Sequence, residues 1–440
     1  MGAGAGMSPG GAGSPVGDEP PADVLSSPEA GPAAVRGGAL RVAGYVSGAL
    51  LSAVSAAILF RHLGVVDTGR YGLALSLVAI VGGLSDLGLT AIGVREFSVR
   101  SEPERRRLVR SLLGLRVGLT VAGMTVALGF AALVGYPAVV VAGVALAGVG
   151  LLFQGLQSSL SIPLQTALRL GSLTGIELAR QVITVVLIVV LVAAGAGLVP
   201  FLAVGIPAGL AALVLAVVLV RRDTSIVPLF DVGSWALVVR AVLPYSLAVV
   251  ATVLYFRLAV IAVSLLADDE ELGYFNASFR VVEVLVGVPG LLVGAALPIF
   301  SRAARDDEER LRYALTRVFD VSLIAGVWVA VVLAVGSEVA IDVIGGPEFE
   351  PAATVLAVQG IAVAGAFVGT VWGNLLLSMD RQRDILVITL FALGCGLALT
   401  PALVALDGAR GGAAATAVVE LALVVVGALL VRRARPGLLP

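Results

Sequence analysis

Apolar runs of about 20 residues recur from residue 40 almost to the end of this 440-residue chain, separated by short polar breaks. A helix of that length spans the ~30 Å hydrocarbon core of a bilayer at about 1.5 Å per residue. Soluble helices are rarely apolar on every side. Apolar residues make up 59% of the chain and charged residues 13%, with a mean hydropathy of +1.04. That leaves too little polar surface to clothe a soluble fold, so lipid is the solvent this chain requires.

The runs predict spans near 40–61, 71–94, 111–134, 138–162, 173–194, 198–220, 241–266, 274–299, 318–344, 352–377, 385–405 and 411–431. With the N-terminus inside, 22 arginines fall in inner segments and only 3, Arg61, Arg70 and Arg410, in outer ones. Basic residues resist translocation, so this bias sets the orientation, and a miscounted span would have smeared it. Both termini are expected in the cytoplasm, with the chain in the cytoplasmic (inner) membrane. Residues 1–36 read as a disordered cytoplasmic tail, rich in Gly, Ala, Pro and Ser without apolar periodicity. They lack the basic start of a signal peptide, and no small-residue cleavage site follows the first apolar run. Residues 432–440 form a second short tail.

Several chemistries are excluded. The chain has no lysine, which removes phosphate-binding P-loops and Schiff-base catalysis. Its one cysteine, Cys395, and one histidine, His62, make neither an internal disulfide nor a metal cluster. The outer loops, GYP at 135–137, DDEELG at 268–273 and GPEFEP at 346–351, are too short to carry a catalytic domain. No enzymatic activity, cofactor or metal is expected, and no nucleic-acid partner.

The two halves of the chain look related. Shifting the segment from Gly69 by 204 residues lays Gly69 on Gly273, Glu104 on Glu308 and Arg106 on Arg310. Each half has a span entering after a Gly-x-aromatic turn, then a charged inner segment. Six spans per half start the second half on the same side as the first, giving a parallel repeat about an axis along the membrane normal. The expected fold is an all-α integral membrane protein of about twelve transmembrane helices in two six-helix lobes, 37–220 and 241–431. The linker 221–240 reads as an interfacial helix. Two lobes of this kind suit alternating access to a substrate held between them.

Two motifs carry a family resemblance. Leu63-Gly64-x4-Gly69-x-Tyr71 follows the first span, and the second ends in GLSDLGLTAIGVREF, with Asp86, Gly88, Arg95 and Glu96. These resemble signatures of the polysaccharide flippases (Wzx-type) within the MATE-like MOP exporter superfamily; Thr68 stands where that pattern usually has an aromatic residue. The resemblance runs from about residue 36 to the C-terminus. It implies a MATE-like fold, a cavity lined by spans 1, 2, 7 and 8, and movement of a polyprenyl-pyrophosphate-linked oligosaccharide to the outer leaflet. Coupling to H+ or Na+ is common in that superfamily.

The residues themselves add a charge argument. Arg116, Arg180, Arg257 and Arg280 fall inside spans, as do the acids Asp86, Glu177, Glu283 and Glu420. A charge at mid-membrane costs about 3 kcal/mol on insertion scales, so each must face a cavity or a partner. Arginine's planar fork matches phosphate oxygens and stays charged at any pH. Arg257, near the middle of span 7, and Arg280, in the outer third of span 8, are the main candidates for an anion-binding cavity, with Arg61 and Arg70 flanking its outer mouth. A competing reading pairs Glu177 with Arg180 and Arg280 with Glu283 at i,i+3 spacing, and lets Arg116 snorkel to the inner face. Asp86 is either an ion-coupling carboxylate or a partner of Arg116, and Glu420 is expected to pack against polar neighbours. Gln154, Gln157, Ser158 and Ser161 form a polar stripe suited to interhelical hydrogen bonds.

The expected function is a monomeric flippase for a polyprenyl-pyrophosphate-linked glycan, with membrane lipids, a polysaccharide polymerase and glycosyltransferases as partners. Alternatives are a lipid II flippase, a MATE-like drug or cation antiporter and, from other classes, a non-transporting scaffold or a glycosyltransferase.

Overall fold

The computed structural model describes residues 2, 30–167, 169–221, 226–294 and 296–438. Most of the expected tail, and Arg222 of the linker, lie outside the described residues. Residues 1–47 and 48–440 form two units; within the first, Gly2 and the opening turns of one helix are described.

The elements are α1 (Ala30–Asp86), α2 (Leu89–Val99), α3 (Glu102–Val134), α4 (Ala138–Leu160), α5 (Ile162–Thr166), α6 (Leu170–Ala193) and α7 (Leu198–Ala203). Then come α8 (Gly205–Val220), α9 (Val232–Leu266), α10 (Asp269–Gly294), α11 (Leu297–Asp306), α12 (Glu308–Gly345), α13 (Pro351–Ser378) and α14 (Gln382–Ala434). No strand occurs among the described residues.

Ten stretches are long and apolar enough to cross a membrane. Two of them, Val46–Val99 and Gln382–Ala434, hold 54 and 53 residues. Unbroken helices of that size would run about 80 Å, more than twice a bilayer core. Both are interrupted. Gly64 (φ 72°, ψ −178°) breaks α1 in a conformation that a residue with a Cβ adopts only under strain. Asp407 and Gly408 (φ 47°, ψ −128°) reverse α14, so sharply that a Cβ on Gly411 would lie 1.9 Å from the Leu403 carbonyl. Divided at these two turns, the ten stretches are twelve spans, and the chain is a multi-pass membrane protein.

Loops joining each odd span to the next even one gather on one face. There Arg61 Nη2 donates to the Asp342 carbonyl (2.6 Å) and His62 Nε2 bonds the Ala196 carbonyl (2.7 Å). Arg70 pairs with Asp269 (2.7 Å), Tyr136 meets Ser264 (2.7 Å), and the Ala409 N–H donates to Glu271 (2.7 Å). This face is poor in arginine. On the opposite, arginine-rich face Arg105 bonds the Phe97 carbonyl (2.8 Å), Arg110 the Val227 carbonyl (3.1 Å) and Arg435 the Ala304 carbonyl (2.5 Å).

The linker departs from the expected interfacial helix. Residues 226–231 are non-helical, and the helix that follows, α9, begins at Val232 and runs on into the seventh span. Pro228 cannot extend a helical hydrogen-bond ladder, and the segment is tied to α3, where the Leu229 N–H donates to the Arg110 carbonyl at 2.8 Å.

The halves meet where the repeat places equivalent residues. A Cβ on Gly69 would lie 2.8 Å from the Gly273 nitrogen, and one on Gly72 would lie 2.1 Å from Asn276 Oδ1. Both pairs are separated by the 204-residue shift, and equivalent residues touch only near a repeat's axis. The Asn276 side chain donates to the Gly69 carbonyl at 3.3 Å, and the ion pair from Arg70 to Asp269 borders the same seam. Both second spans of the halves also break near the arginine-rich face. One breaks at Leu87 (φ 44°) and Gly88 (φ 74°), where Ser246 Oγ donates to the Leu87 carbonyl at 2.7 Å. The other breaks between α10 and α11.

A side chain at the seam should therefore wedge it open. In a Cys395→Ser background, Thr68→Cys, a fully buried position, should resist a polar maleimide in detergent. Adding Gly273→Val, whose Cβ would meet the Val65 carbonyl at 2.3 Å, should raise labelling several-fold; unchanged labelling would show that the seam tolerates bulk.

Candidate functional site

Behind the seam lies a cavity of about 520 Å³. Its walls come from the first, second and fourth to eighth spans, with Arg257 the contribution of the seventh. Polar side chains from the first half include Gln154, Arg180, Gln181 and Thr184, and those from the second half Arg257, Asn276, Arg280 and Glu283. The cavity wall thus carries three arginines and one carboxylate.

Glu283 is bracketed. Arg257 Nη2 donates to its Oε1 at 2.5 Å, and Arg280 Nη1 donates to its Oε2 at 2.8 Å. Arg280 Nη2 also donates to Ser52 Oγ at 2.6 Å, across to the first span. The Arg257 guanidinium lies 5.4 Å from the ring centres of both Phe256 and Phe279. Ring quadrupoles attract a cation held there, and this steadies the fork's orientation. The i,i+3 spacing on α10 relates Glu283 to Arg280; its contact with Arg257 on α9 is tertiary and had no sequence signal.

The other charged candidates lie elsewhere or are paired. Arg180 lines the cavity while bonding Glu177, three residues earlier and 59% exposed at its side chain. Arg61 and Arg70 do not line it. They hold the arginine-poor face together, Arg70 between Asp67 (3.3 Å) and Asp269 (2.7 Å). Glu420 accepts from Tyr255 Oη at 2.8 Å, between α14 and α9. His62 binds a loop carbonyl, Cys395 is half-buried, and no cluster of three metal-ligating side chains occurs among the described residues.

Arg116 does not snorkel: it is 4% exposed. Its Nη2 donates to Asp86 Oδ1 (2.5 Å) and Thr90 Oγ1 (3.0 Å). The Thr90 hydroxyl donates to Asp86 Oδ1 (2.8 Å) and lies 3.1 Å from Ser158 Oγ. Gly155 makes room, since a Cβ there would lie 2.9 Å from Arg116 Cδ. This cluster pins the broken end of α1 to α3 and α4 and does not line the cavity. Of the polar stripe, Gln154 faces the cavity, Ser158 bonds across helices, and Gln157 bonds Ser161 on its own helix.

Removing Arg116 leaves Asp86 with a hydroxyl as its remaining partner. Arg116→Ala should cost about 1–3 kcal/mol of stability, through the loss of a charged group's hydrogen bonds and of its packed, buried stem. It should lower the melting temperature of the purified protein, and adding Asp86→Ala should recover part of that loss. An additive double variant would show that the pair is not coupled.

The polysaccharide biosynthesis protein family matches residues 34–304, more than half of the chain, and the MatE family matches residues 244–402. No curated protein matches the sequence. Among solved structures, an inward-facing multidrug resistance MATE family transporter of the MOP superfamily superposes with a TM-score of 0.74. It shares 15% identity, covering 89% of this chain and 95% of that one. The lipid II flippase MurJ in an inward closed conformation also gives a TM-score of 0.74, at 11% identity over 89% of this chain and 87% of its own. A MOP superfamily transporter from Pyrococcus furiosus, reported to have a binding pocket of reversed polarity, gives 0.57 at 17% identity over 90% and 94%. These superpositions show that the chain shares the overall fold of those transporters. By its sequence match, this chain belongs to the polysaccharide biosynthesis protein family.

Proposed function

We propose that this protein is a flippase that moves a polyprenyl-pyrophosphate-linked oligosaccharide across the cytoplasmic membrane by alternating access, for synthesis of a cell-surface polysaccharide. The observation that carries the reading is the arginine balance of the cavity, lined by Arg257 and Arg280 from the second half and Arg180 from the first. A pyrophosphate concentrates negative charge next to the lipid anchor, and guanidinium forks bind phosphate oxygens through paired, charge-assisted hydrogen bonds. The headgroup would occupy the cavity while its polyprenyl tail stays in the bilayer. Residues 37–220 and 241–431 would act as the two rocking lobes.

The arginine-rich face is assigned to the cytoplasm on the positive-inside bias, with both termini there. A drug or cation antiporter would favour an acidic lining, whereas three arginines here face one carboxylate. A lipid II flippase differs in headgroup and is separated by which precursor accumulates. A polymerase and glycosyltransferases would act on either side of the flipping step, and the protein is assigned as a monomer.

Deleting the gene should trap lipid-linked oligosaccharide in the inner leaflet. At normal expression, Arg257→Ala and Arg280→Ala should each cut surface polysaccharide by about tenfold, as expected for loss of a charge-assisted contact. Full export by the double variant would exclude the cationic cavity, and accumulation of lipid II instead would reassign the cargo.

A further inference from the structure

We infer that Glu283 is a built-in counter-anion that occupies the arginine forks of the empty cavity and gives them up to the cargo's phosphates. The inference rests on the flippase reading above. Glu283 offers one oxygen to Arg257 at 2.5 Å and the other to Arg280 at 2.8 Å. Both guanidiniums are thus engaged by a group inside the protein, in the cavity where the cargo's phosphates would bind. A carboxylate and a phosphate present similar oxygen pairs to an arginine fork, so the two anions compete for the same donors. Glu283 travels with Arg280 on one helix, three residues away. Arg257, resting against the adjacent Phe256 and Phe279 rings, stays in place for whichever anion is bound.

Two consequences follow from charge alone. With cargo bound, a displaced Glu283 repels the pyrophosphate and keeps its hold weak enough for release on the far side. After release, Glu283 recombines with both arginines, so the empty cavity closes and returns without two unpaired guanidiniums in a low-dielectric space. Glu283 is therefore a positioning residue for the return stroke and an opponent of tight binding. The bond from Arg280 to Ser52 joins the first span to the eighth and is the natural contact to break when the lobes rock.

The test uses full-length protein in detergent and in reconstituted vesicles. Binding is read with inorganic pyrophosphate by calorimetry. Turnover is read with a fluorescent short-chain polyprenyl-pyrophosphate disaccharide whose leaflet is reported by a quencher. Glu283→Gln preserves volume but removes the charge and turns one accepting oxygen into an N–H donor, so it releases at least one of the two guanidiniums. It should bind pyrophosphate about tenfold more tightly, with both KM and kcat lowered and one loading event per protein still completed. Glu283→Asp restores the charge on a shorter stem and should recover part of the lost turnover. Unchanged or weaker binding by Glu283→Gln at wild-type melting temperature, or unchanged turnover, would overturn the counter-anion role. The Arg257→Ala/Arg280→Ala double variant separates the two readings. If it binds pyrophosphate as well as the wild type, the headgroup assignment itself fails, and the role of Glu283 with it.

Discussion

A guanidinium inside a bilayer must be met by a carboxylate, a hydroxyl or an anion brought from outside, and this requirement orders the polar interior. Arg116 is met by Asp86 and Thr90, and Arg180 by Glu177. In each case one acid serves one arginine. At Glu283 the ratio changes, with one carboxylate serving both Arg257 and Arg280. That surplus of positive charge lies in the cavity between the spans. A structural pair has no need of a second arginine, whereas an anion-binding wall does.

The second constraint is steric. The two halves approach through Gly69, Gly72 and Gly273, where any Cβ would strike the opposing chain. Such close backbone approach, with Asn276 bonding the Gly69 carbonyl, joins the halves beside the cavity. The strained turns at Gly64 and at Leu87–Gly88 bracket this part of α1. Arg116 holds one of them, and the Leu87 carbonyl freed there is taken by Ser246. Broken backbone is tolerated at membrane depth only where its polar groups find such partners.

Much of the architecture was legible in the sequence because lipid imposes a coarse rule. Apolar length marks each span and arginine marks one face, and neither signal depends on tertiary detail. The turns at Gly64 and Gly408 were implied by the same rule, since no helix of more than 50 residues fits a bilayer. Helical spacing predicted the pairings of Glu177 with Arg180 and of Arg280 with Glu283. The contacts of Arg257 with Glu283 and of Ser52 with Arg280 join residues 26 and 228 positions apart, and spacing along one helix carries no information about them. For Arg116 the sequence left two readings open, snorkelling or pairing with Asp86, and the second is the one found. Its distance from the inner face allowed snorkelling, but Gly155 opens a slot for its stem beside Asp86. The linker shows the same limit, since a non-helical segment bound to α3 looks, in hydropathy alone, like an interfacial helix.

The cavity is assigned an anionic, lipid-anchored headgroup. Native mass spectrometry of the protein extracted with its own membrane lipids tests this most directly, because it identifies the occupant without presupposing it. The account predicts a bound mass matching a polyprenyl pyrophosphate carrying sugar residues. An organic cation in its place, or a lipid with no phosphate, would contradict it.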